Sequence, residues 1–330
     1  MSVPSAFASE PSTGSLDRFV AAIDVGTNMV RLRVERLAGS WRSLVAHDWV
    51  ITRLGGGQQQ GGPLTAAAME RTVEVLARFA AKTSSLHAPE VWAVATSAVR
   101  DASNRDEFVA LVKQRTGLDL EVVSGDEEAR LDAVGVVADL GGDVRESVLI
   151  DIGGGSTELV PIEGGVPLQG VSVPVGVVRL TERYLQSDPP SPAELAALEA
   201  AAHTALAEAR PAFCEGMSPG CELIANSGTA TTLAAVDLGL ADFDPDRIRG
   251  HVVPRDVVDR IYADLAALPA ARRLEVPGVV RGREDLIVSG LALLRAAMDL
   301  VRLGRVRISM GGLLEGVLVD RASRIRGEET

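Results

Sequence analysis

The stretch Val148-Leu149-Ile150-Asp151-Ile152-Gly153-Gly154-Gly155-Ser156-Thr157-Glu158-Leu159-Val160 constrains the fold more than any other. An apolar, β-branched run ends on a carboxylate, three glycines follow, and a hydroxyl pair leads into a second apolar run, the pattern of a hairpin. Glycines let backbone N–H groups approach an oxyanion closely, Ser156 and Thr157 add donors, and Asp151 at the strand end can hold a hydrated divalent cation. The turn Gly153, Gly154, Gly155, Ser156, Thr157 therefore reads as facing phosphate. A glycine run alone says little, but this one has an echo. Phe19 to Asn28 repeats the plan, with a strand ending on Asp24 followed by Gly26, Thr27 and Asn28. Two similar half-sites imply a duplicated domain with a cleft between the halves.

At 330 residues the chain is long enough for about two domains, and a 46% hydrophobic content with few aromatic residues suits α/β layers. No segment reaches the ~18 consecutive apolar residues of a membrane span. Residues 1–16 are rich in Ser, Pro and Ala, without a basic start or an apolar block, and are expected to form a disordered tail rather than a signal peptide, which points to a cytoplasmic protein. Cys214 and Cys221 show no metal-like spacing with any histidine and read as reduced packing residues. The formal charge of −12 argues against a nucleic-acid partner. A phosphate substrate must then be drawn in by local arginines and metal ions, which favours a short one.

Further along, a helix is expected from Thr65, a buried strand over Val91–Ala95, and at its end Thr96, Ser97 and Arg100, where α/β sheets bind ligands. The planar fork of Arg100 suits two phosphate oxygens at once. Asn104 and Glu107 have the spacing of a capping box. Ser124 reads as the N-cap of another helix, with Glu127 folding back on the helix start and Glu128 left free as an ionised general base; the alternative is that Asp126, Glu127 and Glu128 all simply complement the helix dipole. Asn226 ends a strand, and Ser227-Gly228-Thr229 opens a helix N-terminus that can bind phosphate. Arg31, on an alternating strand, and Arg179 are each as readily solvated arginines as anion contacts.

The two Asp-Gly hairpins facing one cleft resemble the actin, hexokinase and Hsp70 (ASKHA) superfamily, whose domains are ribonuclease H-like. Within it, Ala95-Thr96-Ser97-Ala98-Val99-Arg100, Ser124-Gly125-Asp126-Glu127-Glu128-Ala129-Arg130 and Gly228-Thr229-Ala230-Thr231-Thr232-Leu233 are similar to segments of the exopolyphosphatase / guanosine pentaphosphate phosphohydrolase (Ppx/GppA) family, in its short two-domain form. The resemblance covers about residues 19 to 322. It implies two actin-like domains, over 17–135 and 136–312, with the C-terminal helix 313–326 joined to the first, and the homodimer common in relatives. It makes Glu128 the catalytic glutamate, with Glu127 as the fallback, and raises Arg31 as a substrate contact. Two departures stand out: Met29 replaces a Ser, and Leu314 replaces an Arg that would contact phosphate.

The expected reaction is hydrolysis of a terminal phosphoanhydride. Asp24, Asp151 and Glu158 would hold Mg2+ or Mn2+, with a monovalent cation as a further possibility, Arg100 would neutralise the transferred group, and Glu128 would deprotonate water. Inorganic polyphosphate in short chains is the preferred substrate and guanosine pentaphosphate (pppGpp) the alternative. A small-molecule kinase and a non-catalytic nucleotide or alarmone sensor are rival readings, which the joint presence of Asp24, Glu128, Asp151 and Glu158 disfavours.

Overall fold

A computed structural model describes residues 18–38, 41–59, 61–141, 144–209 and 221–326. The expected tail over 1–16 and Cys214 lie outside the described residues. Two mixed sheets carry the chain. In the first, β1 (Arg18–Val25), β2 (Met29–Ala38) and β3 (Trp41–Ile51) form an antiparallel meander, and β4 (Glu90–Ala95) and β5 (Leu120–Val122) run parallel to β1, in the order β3-β2-β1-β4-β5. The second repeats this: β6 (Ser147–Ile152), β7 (Thr157–Glu163) and β8 (Val166–Pro167) are the meander, with β9 (Val171–Val173) also on β7. β10 (Glu222–Asn226) and β12 (Arg305–Ile308) run parallel to β6, and β11 (Val252–Pro254) adds an antiparallel edge. The duplication visible as two Asp-Gly hairpins is thus a duplication of whole sheets, and the fold is the actin-like one.

The apolar runs that predict strands are buried on both faces, as strands covered by helices must be. Val148, Ile150 and Ile152 face a core completed by Leu291, Leu294 and Met298 of the Ile287–Val301 helix, while Leu149 faces Ala133 and Val136 of the Gly125–Leu140 helix. The C-terminal helix, Leu313–Arg326, packs Leu313, Leu314, Val317 and Leu318 on Val20, Ala22 and Val94 of the first sheet. Leu314 is therefore a core residue, where an arginine would bury a charge. The Gly125–Leu140 helix runs unbroken between the sheets, giving Leu131 to the layer under the C-terminal helix and Ala129, Ala133 and Val136 to the other.

Local chemistry sets the ends of these elements. Thr65 Oγ1 accepts from Ala68 N at the start of the Ala66–Ser85 helix, and Ser191 with Glu194 closes a full capping box. Ser124 accepts from the Glu127 amide as expected, but Glu127 turns its carboxylate to Arg130 instead of back to the helix start. Asn104 departs further from expectation. Its side chain makes no cap, and instead accepts from Leu64 N and donates to Leu64 O, tying down the loop before residue 65. No helix among the described residues is long and apolar enough to cross a membrane.

Candidate active site

One cleft opens where β1, β4, β6 and β10 end. Asp24, Gly26, Thr27, Asn28, Arg31, Thr96 and Ser97 line it from the first sheet, and Asp151, Gly153, Gly154, Ser156, Glu158, Gly228 and Thr229 from the second. The two hairpin turns are built alike: Gly26 N donates to Met29 O and Gly153 N to Ser156 O, each at 3.0 Å. They also pack against each other. Thr27 Oγ1 and Ser97 Oγ lie 3.0 Å apart, and a Cβ on Gly155 would stand 2.8 Å from Thr27 Oγ1 and 2.7 Å from Ser97 Oγ. Gly155 is thus needed for the close approach of the two halves and contributes no wall of the cleft.

Glu128 sits at the first turn of its helix, buried, with its Oε2 accepting from Arg100 Nη1 at 2.6 Å. Burial pushes its carboxyl up to about 7, against the pull of Arg100. The helix N-terminus alone predicts an ionised glutamate; enclosure brings its titration to neutral pH instead. Asp24 lies opposite Arg31 across β1 and β2 and accepts from it at 2.6–2.8 Å. Burial raises the Asp24 carboxyl, Arg31 partly offsets this, and Asp24 Oδ1 keeps no partner.

In the second hairpin Asp151 lies opposite Glu158, and Asp132 approaches both, each offering an oxygen within 4.8 Å of the others. Burial and mutual repulsion raise Asp132 and Glu158 well above the ordinary carboxylate range. Asp151 Oδ1 is buried without a partner. Three enclosed acids with an orphaned oxygen fit a hard divalent cation. Asp24, an expected ligand, is not in this trio and has Arg31 for its counter-charge.

Several expected contacts point elsewhere. Thr157 Oγ1 donates to Val175 O at 2.7 Å and is not a cleft group. Glu127 is bound to Arg130, which also grips Asp320. Arg179 pairs with Asp101 at 2.6 Å. Two cleft groups, Asp132 and Arg283, and one residue behind the cleft, Asn226, go beyond the expected site. Asp132 stands one helical turn beyond Glu128, a spacing that places both carboxylates on one face and could have been read. Asn226, which ends β10, hydrogen-bonds Asp132. Arg283 reaches the cleft beside Gly228, where a Cβ would stand 1.1 Å from its Nη1, and burial next to Arg31 lowers it to about 10. It follows a loop with no motif, so no local pattern announces it.

The sequence profile of the Ppx/GppA phosphatase family matches residues 34–325. Exopolyphosphatase 2 of Mycobacterium tuberculosis is 32% identical over 325 residues, spanning 92% of this chain and 98% of the relative. Exopolyphosphatase 1 of Mycobacterium bovis is 28% identical, spanning 92% and 88%. Among solved structures, an exopolyphosphatase from Cytophaga hutchinsonii superposes with a TM-score of 0.85 at 25% identity, covering 94% of this chain and 99% of the other. The Ppx/GppA protein of Aquifex aeolicus gives 0.79 at 27% identity, covering 95% and 100%.

Proposed function

The chain belongs to the Ppx/GppA phosphatase family, and from that premise we propose that it is an exopolyphosphatase, releasing the terminal phosphate of inorganic polyphosphate, preferentially short chains. The observation that carries this reading is buried Glu128, paired at 2.6 Å with half-buried Arg100 and lining one cleft with two glycine turns. The names of the mycobacterial relatives support the substrate class.

In this reading the Gly26–Asn28 and Gly153–Ser156 turns bind the terminal phosphate through backbone N–H groups and hydroxyls. Arg100 would serve two ends, holding the Glu128 carboxylate and offsetting charge on the transferred group. Glu128, as its carboxylate, takes a proton from water as the water oxygen bonds to the terminal phosphorus. The bridging P–O bond breaks, and its electron pair leaves with the shortened chain. Asp151 and Glu158 would hold Mg2+ or Mn2+, which when bound supplies charge neutralisation on phosphoryl oxygens.

Phosphate release with Mg2+ should be measured in parallel on short polyphosphate, long polyphosphate, pppGpp and ATP. Fast release from polyphosphate is expected. Release from pppGpp alone would transfer the protein to the alarmone branch of the family, and no release from any of the four would overturn the hydrolase reading.

A further inference from the structure

The duplicated hairpins carry an internal comparison. In the first, Asp24 faces Arg31 across the strands, and the pair neutralises itself. In the second, the same register sets Glu158 against Asp151, and like charges directly opposite destabilise an antiparallel pair. Among the described residues no ion pair joins Asp132, Asp151 or Glu158 to a basic side chain; Arg31 acts on Asp151 only through space, and Ser172 Oγ donates to Glu158 Oε1 at 2.6 Å. The chain adds a third acid. Asp132, 1% exposed, projects into the same cleft from the Gly125–Leu140 helix and contacts Asp151.

A cluster of acids does not by itself define a site, but Asp151, which lines the cleft, keeps a buried Oδ1 without a partner, and a second unpartnered oxygen lies next to the cluster. Asn226 lies opposite Asp151 in the parallel pairing of β10 and β6 and is 1% exposed. Its amide Nδ2 is oriented by two acceptors, Asp132 Oδ1 at 3.4 Å and Gly311 O at 3.3 Å, which leaves Asn226 Oδ1 buried without a partner. Orphaned oxygens at this depth carry a desolvation cost that an unfilled site leaves uncompensated.

We propose that Asp132 is a third carboxylate ligand, with Asp151 and Glu158, of a divalent cation that this protein holds before substrate arrives. A magnesium ion is ordinarily held by one or two carboxylates and by the substrate's own phosphates, and so enters largely with the substrate. Three buried carboxylates overcompensate a divalent charge and make the ion resident. Asn226 Nδ2 donates to the Asp132 carboxylate at 3.4 Å. The inference rests on the phosphohydrolase reading only for its biological use, since the binding itself is measured without substrate.

The test is a titration of the metal-free full chain with Mn2+, followed by the electron paramagnetic resonance of free Mn2+, with no phosphate compound present. One tight site per chain is expected. Asp132→Asn preserves size and still offers an N–H to Asp151, so it should fold, as thermal unfolding of the metal-free protein will check, yet weaken Mn2+ at least about tenfold. Asp126→Asn, on the exposed side of the same helix, should leave affinity unchanged. The inference fails if Asp132→Asn binds Mn2+ as tightly as the parent, or if the parent takes up Mn2+ only with polyphosphate present. Phosphate release, measured separately at saturating metal, reports on the function, so either conclusion can fall while the other stands.

Discussion

Exchanging Arg31 for Glu158 at equivalent hairpin positions gives one half of the cleft a built-in cation and the other a need for one. Glu128 lies where both fields meet, and its behaviour is set by that position. Glu128→Gln keeps the shape and an acceptor for Arg100 but cannot take a proton, so turnover should fall about 10²–10⁴-fold with little change in substrate binding; unchanged turnover would remove Glu128 from the chemistry. Because burial lifts this carboxyl from 4.5 to about 7, the base is half spent near neutral pH. The acid limb of kcat/KM should therefore fall near pH 7, and added divalent cation, by favouring the carboxylate, should draw it lower. Stability follows the opposite direction. A raised folded-state value contributes most below about pH 4.5 and is lost as pH rises through 7, so Glu128→Gln should gain on the parent in denaturation midpoint across that window.

Between residues and the whole lie helices whose contacts were illegible in their own sequences. The Gly125–Leu140 and Leu313–Arg326 helices cross at backbone distance: a Cβ on Gly316 would stand 1.8 Å from Leu131 O, and one on Gly135 2.0 Å from Gly312 O. Gly316→Ala should consequently cost about 1–3 kcal/mol or more, read from a urea midpoint. It should also disturb activity, since the first of these helices carries Glu128 and Asp132. Capping motifs were readable because their partners are three residues away, as at Ser191 and Glu194. The Asn104 motif had the right spacing, but the loop at Leu64 offered its side chain a donor and an acceptor together and captured it.

Across the molecule, three polar contacts join loops of the first sheet to elements of the second: Arg179 to Asp101, Arg53 to Asp285, and the Gly57 amide to Glu182. The Arg53–Asp285 pair and the Gly57 contact are exposed, where such links are worth about 0–1 kcal/mol. At the rim, then, two of the three links between the halves are weak, while Gly154 and Gly155 pack directly on Thr27 deeper in the cleft. Arg53→Ala with Arg179→Ala should enlarge the radius of gyration in solution scattering without ligand, and a short polyphosphate should reduce it again. Identical profiles in all states would count against opening of the cleft. The net charge of −12 makes the same entrance sensitive to salt, which screens its repulsion of a polyanion.

The duplicated strands, the two Asp-Gly turns and the helix start at Ser124 were legible because each is a local pattern of period, glycine freedom or capping, whereas Glu128 as the base is what the family resemblance implies. Tertiary structure alone decided which groups share the cleft. It turned Thr157 onto Val175 O, paired Asp24 with Arg31, brought Asp132 and Arg283 into the cleft from separate elements, and set Asn226 behind Asp132. Electrostatic character followed the same division: a carboxylate's charge state depends on what encloses it, and that enclosure is assembled from residues far apart in the chain.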